Sequence, residues 1–254
     1  MALRGFPRGA VFFVIFSFSN VPFSKKTDAK QKNSQTNHNY RSYLTFTSVM
    51  RNTIFTCISI ALHPIFTVTL GMIIIINVLL PGALLSQWML LLFCAGYSIL
   101  MPIAFIGFAR ILGYVSDLRM RQRRERIFAL VVNAISIIAF CRLLSSWHAP
   151  SVMQMFVMGT AMALVIAAVL SFFTRISLHA IGWGGLTALV SFLSFSHPWI
   201  SALLAFIVLM AGLAGTARLY LNEHSPWQVY LGYFIGFASI WVAFIIIPIF
   251  DLHL

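Results

Sequence analysis

Two histidines occur in separate polar segments of an otherwise apolar chain, and each follows an arginine in its segment. His179 comes after Arg175, and His224 comes after Arg218. An imidazole can attack an electrophile or transfer a proton, and a guanidinium presents a fork of donors that matches phosphate. A single histidine near a membrane boundary usually has a structural hydrogen-bonding role. Two histidines that are each accompanied by an arginine favour chemistry on a phosphate group.

A third polar segment contains five arginines within eight positions: Arg119, Arg121, Arg123, Arg124 and Arg126. There are two interpretations. The cluster is a positive-inside topology signal, or it supplies donors to a phosphate. The three segments, 114–126, 174–181 and 216–228, are the loops rich in Arg, His and Ser. We therefore expect them to meet at one face of the protein.

The composition identifies the setting of these segments as a membrane. Of 254 residues, 60% are apolar and 9% are charged, and the mean hydropathy is +0.93. Soluble domains contain roughly 25% charged residues, so soluble and disordered classes are excluded. The formal charge of +12 comes from basic residues that lie between apolar runs, where membrane topology also places them. No nucleic-acid partner is therefore expected.

The apolar runs have lengths typical of membrane-spanning helices, which need roughly 20 residues. The runs are 54–80, 87–112, 127–147, 153–173, 183–195, 199–214 and 229–250. They predict an all-α, polytopic integral membrane bundle of about six or seven transmembrane helices. The run 183–195 is short for a full span. If each run crosses once, the three polar segments share one face.

The first 50 residues differ from the rest, and we interpret residues 51–254 as the membrane domain. A short apolar stretch at 10–18 precedes a polar, lysine-rich linker at 24–42. Three interpretations stay open for this extension. It is a signal peptide, it lies in the membrane interface, or it precedes a true start at Met50.

The spacing within the polar segments resembles the type 2 phosphatidic acid phosphatase superfamily, which includes vanadium haloperoxidases. The family pattern is K-x6-R-P, then P-S-G-H, then S-R-x5-H-x3-D. The corresponding residues here are Arg119-x6-Arg126, Ser177-Leu178-His179 and Arg218-x5-His224-x3-Gln228. The resemblance extends over about 54–250. It implies a membrane-bound phosphatase or phosphotransferase that acts on a lipid phosphomonoester or pyrophosphate.

The resemblance also implies the role of each residue. His224 would attack phosphorus to form a phosphohistidine, and His179 would protonate the leaving alkoxide. Gln228 takes the place of the aspartate that orients the nucleophile. The phosphate-binding residues would be Arg119, Arg126, Ser177 and Arg218. The expected partners are a lipid phosphate substrate and membrane lipids. Because the sequence contains no zinc-ligand spacing, Walker loop or nucleophile elbow, we expect no metal and no cofactor.

Departures from the pattern keep a second function open. An amide at Gln228 stabilises an imidazolium less than a carboxylate does, although Glu223 or Asp117 could substitute. Leu178 adds a side chain where the family has glycine. The alternative is a catalytically weak or inactive lipid-phosphate-binding or transport protein. Transport usually places polar groups near the bilayer midplane. The main such group in this chain is His63. It is either functional or hydrogen-bonded to a neighbouring helix.

The expected location is the inner membrane of a bacterium. Positive-inside logic places the arginine-rich face in the cytoplasm, whereas the resemblance implies an outward-facing site. These arguments conflict, and the sequence assigns neither the side nor an oligomeric state.

Overall fold

The chain forms a bundle of apolar helices, as described by a computed structural model for residues 49–80, 84–115 and 122–249. Within these ranges there is no strand, and six helices are long and apolar enough to cross a membrane, or seven if one bent pair counts as a span. The helices are α1 (Val49–Ala61), α2 (Ile65–Leu79), α3 (Leu84–Ala95), α4 (Met101–Ile111), α5 (Arg123–Ser146), α6 (Ser151–Leu170), α7 (Leu178–Ser196), α8 (Ser201–Tyr220) and α9 (Pro226–Ile249). The predicted all-α polytopic fold is confirmed.

The sequence predicted a single helix for the first apolar run, but the structure has two helices there. It breaks at His63-Pro64, and α1 and α2 meet at an angle of 50°. Proline lacks an N–H and disfavours helical geometry at the preceding residue, which accounts for the break. The carbonyl of Leu62 accepts a hydrogen bond from the indole Nε1 of Trp183 at 3.0 Å. A neighbouring helix thus satisfies a backbone group at the break.

The second run is continuous but irregular. A π-helical turn, Gly96–Leu100, joins α3 to α4, just before Pro102. The wider turn accommodates a residue that cannot donate to the helix ladder. Within this turn the Ser98 hydroxyl lies 2.6 Å from the Thr69 hydroxyl of α2, which links the two helices.

Helix α7 is longer than the sequence had indicated, so the prediction of a short arm at 183–195 is wrong. It begins at Leu178 and contains 19 residues, which corresponds to about 28 Å at 1.5 Å per residue. Ser177 is its N-cap, and the Ser177 hydroxyl accepts a hydrogen bond from the Ala180 N–H. A serine side chain that satisfies a free N–H starts a helix well, so the polar segment includes the first turn of α7.

Helix α7 lies at the centre of the bundle and packs closely against α9. A Cβ atom added at Gly184 would overlap the Tyr233 carbonyl, and one added at Gly236 would overlap the Ile181 carbonyl. Small residues let helix backbones approach closely where lipid supplies no hydrophobic driving force. This packing fixes the start of α7 beside the start of α9.

The ends of the helices bring the described polar segments together at one end of the bundle. Arg126 donates to the Ile176 carbonyl, and the Ser177 N–H donates to the Gln228 carbonyl at 3.4 Å. The predicted meeting of the three segments is therefore confirmed for their described parts. The predictions for Arg119, for Asp117 and for the extension up to residue 48 lie outside the described residues.

Candidate functional site

His224 lies in the turn between α8 and α9 and is held by the backbone of the neighbouring turn. Its Nδ1 atom is 3.1 Å from the Arg175 carbonyl oxygen. A carbonyl only accepts, so Nδ1 carries the proton in this contact and the neutral ring has its lone pair on Nε2. The ring is half-buried. Nε2 is therefore the atom of this ring able to act as a nucleophile.

The surroundings of His224 keep its ring neutral. Burial lowers the pKa of His224 below the ordinary value of 6.5, and the positive charges of Arg218 and Arg126 lower it further. The Arg175 carbonyl and the Gln228 side chain oppose this effect, because both interact favourably with the charged ring. A neutral imidazole that is influenced by the positive charges of two arginines is suited to attack on an anionic phosphate.

Gln228 has a structural role in the described site. Its Oε1 accepts a hydrogen bond from the Ser225 N–H at 3.0 Å, and its Nε2 donates to the Thr174 hydroxyl at 3.1 Å. Ser225-Pro226-Trp227-Gln228 thus forms one half of a capping box at the start of α9. The orienting contact of His224 comes from the Arg175 carbonyl.

A second cluster surrounds His179, which is 8% exposed on the first turn of α7. The Nε2 atom of His179 lies 3.0 Å from the carbonyl oxygen of Ser59 in α1. The Ser59 hydroxyl accepts a hydrogen bond from Nη1 of Arg218 at 3.0 Å and lies 3.4 Å from Nε2 of His179. Ser59 therefore joins two residues that the sequence pattern places in one site.

Sequence reasoning missed Ser59, although a signal existed. It is a polar residue within an apolar run, and its side chain is buried. Buried polar groups in a membrane helix face the protein interior and pair with other polar groups. The family pattern has no motif in this helix, so the resemblance does not predict a role for Ser59.

His63 is exposed at the break between α1 and α2. Its Nδ1 atom accepts a hydrogen bond from the Ile65 N–H at 3.2 Å. One interpretation expected a hydrogen bond to a neighbouring helix, but this bond is to the backbone two residues further along the chain. Its ring stands edge-on to the ring of His179, with centroids 5.2 Å apart. His63 thus borders the site.

Two arginines offer donors at the site without protein partners. The Nε atoms of Arg126 and Arg218 are buried and have no hydrogen-bond partner among the described residues. Buried donors are nearly always satisfied in native proteins, so both Nε–H groups lack the acceptor that a buried donor normally has. Arg218 also lies 3.8 Å from the half-exposed Glu223 carboxylate. Glu223 thus pairs with an arginine, and the hydrogen bond of His224 is to the Arg175 carbonyl.

Ser177 is fully buried, and its hydroxyl oxygen caps α7. The hydroxyl still has one proton to donate. Leu178, which stands where the family has glycine, lines an apolar groove of about 100 Å³ between α4 and α5. Arg126 also lines this groove, so one guanidinium lies at the boundary between polar and apolar surfaces.

A polar pocket of about 330 Å³ is lined in part by Arg175, the residue whose carbonyl contacts His224. The described residues that line it are Arg123, Arg126, Ser171, Phe173, Thr174, Arg175 and Gln228. Three of them are arginines. The described residues contain no group of three or more His, Cys, Asp or Glu side chains that could hold a metal ion.

Comparisons of the chain with known protein families, with curated proteins and with solved structures find no match.

Proposed function

We propose that this protein is a membrane-bound phosphatase or phosphotransferase that acts on a lipid phosphomonoester or pyrophosphate through a phosphohistidine intermediate. The proposal includes membership of the type 2 phosphatidic acid phosphatase superfamily and location in a bacterial inner membrane. The observation that carries it is the pair of unpartnered buried Nε–H groups on Arg126 and Arg218. Both arginines lower the pKa of His224, so their charges act on the proposed nucleophile.

The proposed reaction has two steps. In the first, Nε2 of His224 bonds to phosphorus while the bond from phosphorus to the lipid oxygen breaks. His179, whose protonated form is favoured by the negative charge of the bound phosphate, gives its Nδ1 proton to that oxygen. In the second, water attacks the phosphohistidine and gives a proton to His179, and the electron pair of the P–N bond returns to Nε2. Inorganic phosphate leaves and the starting state is restored.

Two arginine side chains and two backbone carbonyls have parts in this scheme. Arg126 and Arg218 neutralise the non-bridging oxygens, whose charge reorganises during transfer. The Ser59 carbonyl holds Nε2 of His179, which leaves Nδ1 to deliver the proton. The Arg175 carbonyl performs for His224 the orienting task that an aspartate performs in the family pattern.

A lipid substrate is favoured because polar and apolar surfaces meet at Arg126. The apolar groove between α4 and α5 and the polar pocket share this residue. An amphiphile could place its chain along the groove while its phosphate contacts the guanidinium. A water-soluble phosphate would not use the groove.

The second candidate function is lipid-phosphate binding without turnover. It is favoured by Gln228, whose two side-chain hydrogen bonds are structural and leave no described carboxylate bonded to His224. This candidate predicts binding without phosphate release.

The test is phosphate release by the purified protein from a panel of lipid phosphates. We expect turnover in the native protein and its loss in His224→Ala. His197→Ala is the matched control, because His197 lies at the opposite end of the bundle between α7 and α8. Equal turnover in native protein and His224→Ala would exclude the phosphohistidine mechanism. Saturable binding with no release would favour the binding protein.

A further inference from the structure

The arginine-rich segment at the start of α5 is divided between two sides of the helix. Arg126 is partly buried and donates to the Ile176 carbonyl, so it belongs to the candidate site. Arg124 lies two residues earlier, which corresponds to a rotation of about 200° around the helix axis, and it is exposed. Arg124 therefore lies on the side of α5 opposite to Arg126, and the proposed mechanism gives it no task.

An aromatic pair joins the beginning of α5 to the end of α4. The rings of Tyr114 and Phe128 stack with their centroids 5.7 Å apart, and the two residues are still 64% and 41% exposed. Tyr114 follows the last turn of α4, where its N–H donates to the Ala109 carbonyl at 2.9 Å. Tyrosine is enriched where a membrane helix meets the aqueous surface, so this pair marks the membrane boundary.

Two exposed arginines flank the aromatic pair, one on each helix. Arg110 lies four residues before Tyr114 on the α4 side. Arg124 lies four residues before Phe128 on α5, which is about one helical turn. Within the part of the chain that the structure describes, neither guanidinium takes part in an ion pair or a hydrogen bond. We call these four residues the α4–α5 edge.

The side of α5 that carries Arg124 has the polarity of a phospholipid. Its exposed residues recur at intervals of three or four positions and form one stripe along the helix: Arg124, Phe128, Val131 and Ile135. The charge lies at the end of the helix, and the apolar side chains follow it toward the membrane interior. A phosphate headgroup with an acyl chain below it matches this stripe along its length.

The described part of the protein offers no anion to balance the edge. It contains two carboxylates. Glu125 is 7% exposed, and Glu223 lies 3.8 Å from Arg218. An arginine near a membrane surface attracts anionic lipids by about 1 kcal/mol, and a guanidinium matches a phosphate group well. Charge complementarity therefore favours an anionic lipid as the occupant.

We propose that the α4–α5 edge binds the phosphodiester headgroup of an anionic membrane phospholipid that is not a substrate. The headgroup lies between Arg110 and Arg124, and its acyl chains continue past Tyr114 and Phe128 along the apolar side chains of α5. This inference does not depend on the proposed phosphatase activity, because no residue of the edge takes part in that reaction.

The experiment measures lipid binding to the purified full chain by native mass spectrometry in a neutral detergent. The probes are phosphatidylglycerol and phosphatidylcholine with the same acyl chains, which differ in net charge. We expect the native protein to prefer phosphatidylglycerol. Arg110→Gln and Arg124→Gln should each weaken phosphatidylglycerol binding about fivefold, equivalent to about 1 kcal/mol, and leave phosphatidylcholine binding unchanged. Arg142→Gln is the matched control, because Arg142 is an exposed arginine near the other end of α5.

Each outcome supports or overturns the proposal, whether or not the protein hydrolyses a lipid phosphate. A preference that falls in Arg110→Gln and Arg124→Gln and survives in Arg142→Gln would support it. Equal binding of the two lipids by the native protein, or an equal loss in Arg142→Gln, would overturn it. Loss of the preference in Arg126→Gln alone would place the headgroup in the candidate site instead. Displacement of phosphatidylglycerol by inorganic phosphate would show that the edge binds a soluble anion and not a lipid.

Discussion

A carboxylate placed beside His224 should move the pH dependence of catalysis. Gln228→Glu keeps the Oε1 acceptor for the Ser225 N–H and replaces the amide by a negative charge. Because His224 attacks as a neutral ring, kcat/KM should rise as pH increases through the pKa of His224. In the native protein that pKa is below 6.5, so the midpoint of this acidic limb should lie below pH 6.5.

The size of the shift follows from the surroundings of the ring. Opposite charges about 6 Å apart attract by about 2.8 kcal/mol at an effective dielectric constant of about 20. His224 is half-exposed to solvent, so we expect about half of this, or about one pKa unit at about 1.4 kcal/mol per unit. The acidic limb should move to higher pH by about one unit. At a pH above the pKa of His224 in both proteins, kcat of Gln228→Glu should exceed that of the native protein several-fold. The reason is that the carboxylate stabilises the positive charge that forms on the His224 ring.

The assay is phosphate release from a lipid phosphate between pH 4.5 and 8 in detergent. Gln154→Glu is the matched control, since the Gln154 amide donates a comparable hydrogen bond, to the Ala149 carbonyl at 2.7 Å, at the opposite end of the bundle. A folded, active Gln228→Glu variant whose acidic limb does not move would refute the assignment of that limb to His224.

Three further predictions concern other positions. His179→Ala should lower kcat by about 10² to 10⁴, the usual contribution of general acid–base catalysis, with the protein still folded in gel filtration; an unchanged kcat would remove His179 from the mechanism. Ser59→Ala should raise KM by about 10- to 150-fold, because Arg218 loses a charged hydrogen bond worth about 1.5–3 kcal/mol. Ser59→Thr should restore the native KM, and the control Ser98→Ala should leave KM unchanged. Gly236→Ala should destabilise the protein by about 1–3 kcal/mol through overpacking of α7 against α9. The measurement is thermal unfolding in detergent, with Gly212→Ala as the control because an added Cβ there meets nothing within 4 Å. Equal stability of the two variants would contradict the packing argument.

Much of the fold was readable from the sequence because hydropathy acts over whole segments. The apolar runs predicted the bundle, and the clustering of Arg and His predicted which helix ends would meet. The break at His63-Pro64 also has a local signal, since proline interrupts the helix ladder. Because the whole run is apolar, the sequence nevertheless predicted a single helix there.

The helix ends were harder to predict, because side-chain capping and not hydropathy sets them. Ser177 starts α7 earlier than its apolar content indicates. The S-x-x-Q pattern of Ser225 and Gln228 is a capping-box signature, whereas the resemblance implied a catalytic role for Gln228.

The contacts between distant segments could not be predicted from one sequence. The Arg175 carbonyl next to His224 depends on how two turns pack, and a backbone carbonyl has no signature in the sequence. Ser59 beside Arg218 depends on the angle at which α1 leaves α2. These contacts involve residues outside the family motifs. The arrangement of the site therefore depends on helix packing as well as on residue type.

The central claim is that His224 carries the phosphate during turnover. The most direct measurement is to mix purified protein with a lipid phosphate labelled in its terminal phosphate, quench in alkali, and locate the label by mass spectrometry of peptides. We predict a phosphate on His224 in the native protein and no labelled peptide in His224→Ala. Phosphate release by the native protein with the label on another residue, or continued turnover by His224→Ala, would contradict the account.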